Sequence, residues 1–237
     1  MNEKIVKGLI CPDCGSSVKT TDGSWFECTN CRKIESTDFK FKIKNVKEEE
    51  EEQVAFAMVR QQPLTNGHFN MYSEMVRDND VVIIGLGSVG APEDILNPFN
   101  EVKRTEFIRK VFGKNSKDKI KIVPIRDIGA VREGDWQGHC MKMIDGKNLP
   151  TPTRYYAGSD TDLHWFKGAK NINGKYIELI NVNRHETNFL SGTMVRQSLA
   201  MGTKEWETQV PRCLVGLIRE SFPERLTLKY NQEKKLR

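Results

Sequence analysis

Two short runs of this chain carry residue types suited to gripping a string of phosphates. Thr65-Asn66-Gly67-His68 follows an apolar stretch and opens a segment of helical spacing. Gly67 there lets an anion approach backbone amides at the positive end of a helix, with the Thr65 hydroxyl and the His68 imidazole as further donors. Far along the chain, Ser191-Gly192-Thr193-Met194-Val195-Arg196 repeats the arrangement. Ser191 or Thr193 can cap the helix that follows, and Arg196 in its first turn offers a guanidinium fork to phosphate oxygens. Each run alone also reads as a capped loop holding no ligand. Two such runs, each at a strand-to-helix junction of one sheet, point to a shared anion site.

A second chemistry is written at the start of the chain. Cys11-Pro12-Asp13-Cys14 and Cys28-Thr29-Asn30-Cys31 are separated by thirteen residues, so two knuckles can each aim two thiolates at one tetrahedral ion. The spacing reads as a zinc ribbon with structural Zn2+, with iron in a rubredoxin-like site as the competing metal. A segment this small buries too little to fold on packing alone, so ligation should supply much of its stability. Cys140 and Cys213 stand apart and read as small buried apolar residues.

The elements that must position these groups follow from the apolar pattern. The zinc ribbon is assigned to residues 1–37. A linker over 38–52 contains the alternating stretch 39–44 and the acidic block 48–52, which reads as solvated chain or as an acidic interaction patch. From residue 53 to 237 the pattern alternates strands (54–59, 81–86, 120–125, 154–157, 176–181) with helices (67–77, 101–112, 135–144, 192–201, 211–222). Short apolar strands separated by helices predict an α/β domain, a Rossmann-like parallel sheet with helices on both faces, with ligands beyond the carboxyl ends of the strands.

Composition narrows the class without choosing within it. The 237 residues are 38% hydrophobic, and 37 basic against 32 acidic residues leave a net charge of +5, which permits an anionic ligand without demanding nucleic acid. The longest apolar runs are far too short to cross a bilayer, and the first residues lack a secretory core, so a cytoplasmic protein with no membrane partner is expected. His139, His164 and His185 have no partner pattern. Asp160 and Asp162 read as loop residues or as contacts to a ribose hydroxyl.

Beyond the two runs, Arg60-Gln61-Gln62-Pro63, residues 83–88, Asn97-Pro98-Phe99 followed by Arg104, residues 124–128, Trp136, Tyr156-Ala157-Gly158 and the tail Glu224-Arg225-Leu226 fall in a characteristic order. In that order the chain from about residue 54 onward resembles the (H/T)xGH nucleotidyltransferase superfamily, and most closely its archaeal-type nicotinamide-nucleotide adenylyltransferases. The resemblance covers about three quarters of the chain. It departs in having Thr65 where the nearest relatives carry histidine, Val102-Lys103 in place of Gly-Glu before Arg104, and Leu190 in place of isoleucine.

The resemblance implies a rearrangement of phosphates, AMP passing from ATP to nicotinamide mononucleotide (NMN) to give NAD and pyrophosphate in NAD biosynthesis. It assigns His68, Thr65 and Arg196 to catalysis, Arg60, Gly67, Arg104, Ser191 and Thr193 to ATP, and Trp136 to stacking on the nicotinamide ring. The bland reading of Trp136 is a helix residue filling a gap. An indole suits the ring because a pyridinium is attracted to an aromatic face. Mg2+ is expected with ATP, keeping its waters. Nicotinic acid mononucleotide is a second acceptor to weigh, and a homo-oligomer is compatible. Two other readings stay open: a related adenylyl- or cytidylyltransferase with another acceptor, and a nucleotide sensor whose ribbon recruits nucleic acid or a protein.

Overall fold

A computed structural model describes residues 4–10, 16–20, 25–30, 34–36, 52–113, 118–129, 133–182, 191–227 and 232. The chain divides into two compact units, Met1–Glu51 and Glu52–Arg237. In the first, β1 (Lys4–Ile10), β2 (Ser17–Thr20), β3 (Trp25–Cys28) and β4 (Ile34–Ser36) form an antiparallel meander in chain order. Val18 and Cys28 face each other across β2 and β3 and are fully buried. On the more open side of the same pair, Lys19 and Glu27 stand opposite and form an ion pair at 3.3 Å. That alternation of buried and wetter positions is the period-2 pattern of a sheet with one covered face. Cys11, Cys14 and Cys31, the strand expected over 39–44, and most of the acidic block lie outside the described residues.

The second unit is a five-stranded sheet of β5 (Val54–Val59), β6 (Val81–Leu86), β7 (Ile120–Pro124), β8 (Arg154–Ala157) and β9 (Glu178–Asn181), in the order β7-β6-β5-β8-β9 with every pairing parallel. The alternation along β5 shows why both faces need cover. Ala55 and Ala57 enter one apolar core, Val54 and Phe56 the other. Helices α1 (Asn66–Asp78), α2 (Glu101–Phe112), α5 (Gly192–Met201) and α6 (Val215–Ser221) supply Met75, Phe107, Leu199 and Ile218 to the first core. Helix α3 (Glu133–Asp145) supplies Cys140, Met141 and Ile144 to the second. The chain therefore has the parallel α/β sheet, wound on both faces, that the sequence predicts. Among the described residues, no helix is long and apolar enough to cross a membrane.

Three local differences from the sequence reading have physical causes. The helix expected over 211–222 begins only after Pro211, whose backbone is extended (ψ 129°), and runs as a short tight turn, Arg212–Leu214, followed by α6. The last strand begins at Glu178, since Tyr176 is used in a bridge to Lys170 that closes a local loop. A five-residue helix, α4 (Asp160–His164), was not expected. Ser159 starts it by accepting the Asp162 backbone N–H at 3.2 Å, a cap inside a stretch too short to show periodicity.

Candidate active site

In this strand order the chain winds outward from β5 in one direction through β6 and β7, then in the other through β8 and β9. The reversal between β5 and β8 leaves a crevice beyond their carboxyl ends. A cleft of about 450 Å³ lies there, walled by Arg60 at the end of β5 and by Ala157-Gly158 at the end of β8. Thr65, Gly67 and His68 enter it from the start of α1, and Ser191, Gly192, Thr193 and Arg196 from the start of α5. The two signatures, more than a hundred residues apart in sequence, share one cavity.

Their joint geometry is held by Gln62. Its side-chain amide donates to the Phe99 carbonyl at 2.9 Å and accepts the Phe99 N–H at 3.0 Å, pinning the loop after β5 to the segment before α2. Its backbone carbonyl then accepts Nη1 of Arg196 at 2.9 Å, while Nη2 donates to Thr193 Oγ1 at 3.0 Å. A Cβ at position 192 would stand 3.4 Å from that Nη1 and 3.6 Å from the Gln62 carbonyl, so glycine there leaves room for the contact. Ser191, not Thr193, caps α5, accepting the Met194 N–H at 3.3 Å. Burial lowers the pKa of Arg196, and the positive charge of Arg60 lowers it further. Two guanidinium groups that repel each other across a cleft both gain when an anion enters between them.

At α1, the Thr65 backbone N–H points to Nδ1 of His68 at 3.2 Å, with Thr65 Oγ1 at 2.8 Å from the same nitrogen. A nitrogen that accepts a backbone N–H is unprotonated, so the neutral ring carries its proton on Nε2. Thr65 thus presents the histidine as a donor through its far nitrogen. The Thr65 hydroxyl is thereby engaged within its own helix turn.

Arg104 is placed differently from the other basic groups. It is 1% exposed and is absent from the wall of the cleft. Its Nη1 donates to the carbonyls of Arg60 at 2.8 Å and Gly87 at 2.7 Å, the residues just past β5 and β6. Its own carbonyl accepts Gln61 Nε2 at 3.0 Å, and Gln61 Oε1 accepts the buried Tyr72 hydroxyl at 2.8 Å. Nε of Arg104 is buried without a partner. The guanidinium spans the ends of two strands.

A second cavity of about 640 Å³ adjoins the first, sharing Met58, Val59, Arg60 and Asp162 as common wall. Trp136 borders it from α3, and the imidazole of His139 lies over one face of that indole, ring centres 5.6 Å apart. The indole also packs against the second core, as the gap-filling reading of Trp136 expects. Trp165, just after α4, borders the same cavity and is 42% exposed; sequence reasoning passed over it because it belongs to no motif. Gln137 Nε2 donates to the Trp165 carbonyl at 2.9 Å, tying α3 to the end of α4. Asp160 is turned elsewhere, accepting Asn181 Nδ2 at 2.6 Å.

In the first unit, Cys28 ends β3 and its Sγ accepts the Asn30 backbone N–H at 3.4 Å. Among the described residues no group of three His, Cys, Asp or Glu side chains is placed to hold a metal ion, and three of the four cysteines of the expected set are outside them.

No family model matches the chain. A nicotinamide-nucleotide adenylyltransferase from Methanococcus vannielii is 30% identical over 166 residues, 70% of this chain and 88% of that protein. One from Thermoplasma volcanium is 29% identical over 171 residues, 70% of this chain and 85% of its own length. Among solved structures, a bifunctional NMN adenylyltransferase/ADP ribose pyrophosphatase from Francisella tularensis, complexed with AMP and a manganese ion, shares the fold with a TM-score of 0.60 at 19% identity. That match covers 78% of this chain, which spans about half (53%) of the larger protein. NadR protein in complex with NAD and AMP-PNP matches with a TM-score of 0.52 at 18% identity, over 69% of this chain and 46% of that one. With the two signatures meeting in one crevice at the sheet's reversal point, and 30% identity over 166 residues covering 88% of the Methanococcus vannielii relative, the chain belongs to the nicotinamide-nucleotide adenylyltransferase family.

Proposed function

We propose that this protein transfers AMP from ATP to NMN, giving NAD and pyrophosphate. The observation that carries the reading is the meeting of His68 and Arg196 in one cleft, with an aromatic-walled cavity next to it across a shared edge. The smaller cleft takes the triphosphate and the larger one the acceptor. A phosphate oxygen of NMN forms the new bond to the α-phosphorus, and the bond from that phosphorus to the bridging oxygen breaks. Pyrophosphate leaves with the electron pair. The attacking oxygen is already an anion at neutral pH, so no general base is needed, and catalysis reduces to alignment and charge neutralisation.

In this reading His68 donates through Nε2 to the transferring phosphate, and Arg60 and Arg196 take up charge on the departing pyrophosphate. Thr65 holds the imidazole, while Gly67, Ser191 and Thr193 shape the amide-rich rims. Arg104 acts through the backbone of Arg60 by holding the strand end that presents it. Trp136 lies along the acceptor ring. Mg2+ supplies further neutralisation when it arrives on ATP; the donors lining the cleft, mostly cations, hydroxyls and amides, suit an ion that brings its own waters. The backbone N–H that Asn30 aims at Cys28 Sγ fits a structural Zn2+ that Cys28 would hold with Cys11, Cys14 and Cys31.

Incubating the protein with Mg-ATP and NMN and following NAD and pyrophosphate tests the reading. His68→Ala should lower kcat by about 10²–10³ with a small change in NMN affinity, the usual cost of removing one donor to a transition-state oxygen. No NAD above a no-enzyme control would overturn the assignment.

A further inference from the structure

Three consecutive residues leave β5 held by different partners. The Arg60 carbonyl accepts Arg104 Nη1 at 2.8 Å, and the Gln62 carbonyl accepts Arg196 Nη1 at 2.9 Å. Gln61 lies between them with φ 48°, in the left-handed region, and is 1% exposed. A residue other than glycine rarely adopts that backbone, which persists only where its surroundings hold it there. Two buried bonds hold Gln61: its Nε2 donates to the Arg104 carbonyl at 3.0 Å, and its Oε1 accepts the Tyr72 hydroxyl at 2.8 Å. Tyr72, on α1, is fully buried and borders neither cavity. Burial pushes its phenol above the ordinary range, so the hydroxyl stays protonated and donates. Its ring centre also lies 6.2 Å from that of the His68 imidazole.

We infer that Gln61, held by the Tyr72 hydroxyl, is a positioning residue that fixes the spacing of the Arg60 and Arg196 guanidinium groups across the phosphate cleft. Arg60 precedes the turned residue, and Arg196 is bound by the carbonyl that follows it, so the Gln61 backbone relates the two cations. Relaxing Gln61 to an ordinary φ redirects the Gln62 carbonyl relative to Arg60. The pair then no longer closes on one polyphosphate, and alignment lost by about 1 Å can cost a reaction about a hundredfold in rate. In its kinetic half the inference rests on the proposed AMP transfer. Its anion-binding half stands on the cleft alone.

The test uses the full chain with two substitutions. Tyr72→Phe removes one hydroxyl away from the cleft wall and keeps the ring beside His68. Gln61→Gly tolerates the same φ but removes both side-chain bonds and frees the turn. Calorimetric titration with magnesium pyrophosphate, well below each variant's Tm, should show affinity falling about threefold to tenfold for Tyr72→Phe and further for Gln61→Gly. With Mg-ATP and NMN, kcat should fall about tenfold or more in both variants while the KM for NMN holds. Variants that lose Tm but keep pyrophosphate affinity and kcat, or that weaken NMN as much as pyrophosphate, overturn the positioning role. Should Gln61→Gly fail to fold, Tyr72→Phe decides by the same two readouts. If the unaltered protein binds pyrophosphate but forms no NAD, the transfer reading falls, and the titration alone decides the role of Gln61. No pyrophosphate binding by the unaltered protein overturns both.

Discussion

Replacing Arg104 with methionine separates two jobs that a buried arginine near a phosphate site can have. In the structure its Nη1 bridges the carbonyls of Arg60 and Gly87 at 2.8 and 2.7 Å, and the residue is 1% exposed. Methionine fills a similar volume and removes both bonds. Hydrogen bonds from a charged donor contribute about 1.5–3 kcal/mol each, and two carbonyls left dry add to the loss. Against this, burial already pulls the guanidinium's pKa below its ordinary value, and its Nε has no partner, so an apolar side chain recovers part of the desolvation cost. The net expectation is a destabilisation of about 2–4 kcal/mol, and for a unit of this size each kcal/mol moves Tm by about 2–4 °C.

Scanning calorimetry on the full chain should therefore show the larger unit's transition falling by about 5–15 °C. ATP affinity, measured well below that temperature, should fall less than it does for Arg196→Met. If Arg104 instead grips a phosphate, as the linear pattern suggests, the substitution should leave Tm unchanged or raised and weaken ATP in a salt-dependent way. That second outcome would refute the strand-tie argument.

Other consequences are open to direct measurement. Trp136→Ala should raise the KM for NMN by about tenfold while changing kcat little, the mirror image of His68→Ala; equal small effects on both parameters in both variants would undo the assigned roles. Burial pushes the Cys140 thiol up to about 12, so at pH 8 an alkylating reagent read by peptide mass spectrometry should mark exposed Cys213 and spare Cys140. The same shift has a stability consequence: an unfolded thiol ionises near about 8.5, so the contribution from keeping Cys140 protonated is whole below that pH and declines as pH rises toward the folded value. If Zn2+ is held by the four N-terminal cysteines, metal analysis after dialysis should give one zinc per chain, and Cys28→Ser should lower it while sparing AMP transfer.

The sheet and its helices were legible because β5 and β6 are apolar runs buried on both faces, and because Ser191 caps the helix that follows it, α5. The capping residues and the glycine-rich turns survive translation into local chemistry, so both signatures could be read one at a time. What the linear pattern could not show is distance. Gln62, visible in sequence only as one member of the run Arg60-Gln61-Gln62-Pro63, is the residue whose carbonyl meets Arg196 and whose side chain holds the Phe99 backbone. Trp165 carries no periodic or motif signal and becomes visible only once α4 turns it toward the cavity that Trp136 borders.

Arg104 was recognisable as an arginine in the right order and was assigned by that order to a phosphate. Its burial follows from a longer chain of causes. Gly85 and Gly87 let Met58 cross over the end of β6, since a Cβ at either position would stand within 2.9 Å of the methionine side chain. The ends of β5 and β6 are paired neighbours, Val59 beside Leu86, so one nitrogen can bind a carbonyl just past each. The consequence reaches the chemistry, because Arg60, whose carbonyl Arg104 holds, borders both the phosphate cleft and the acceptor cavity. In the proposed AMP transfer a loosened Arg60 backbone would disturb the alignment of triphosphate and acceptor, so that alignment would rest in part on a side chain that borders neither cavity.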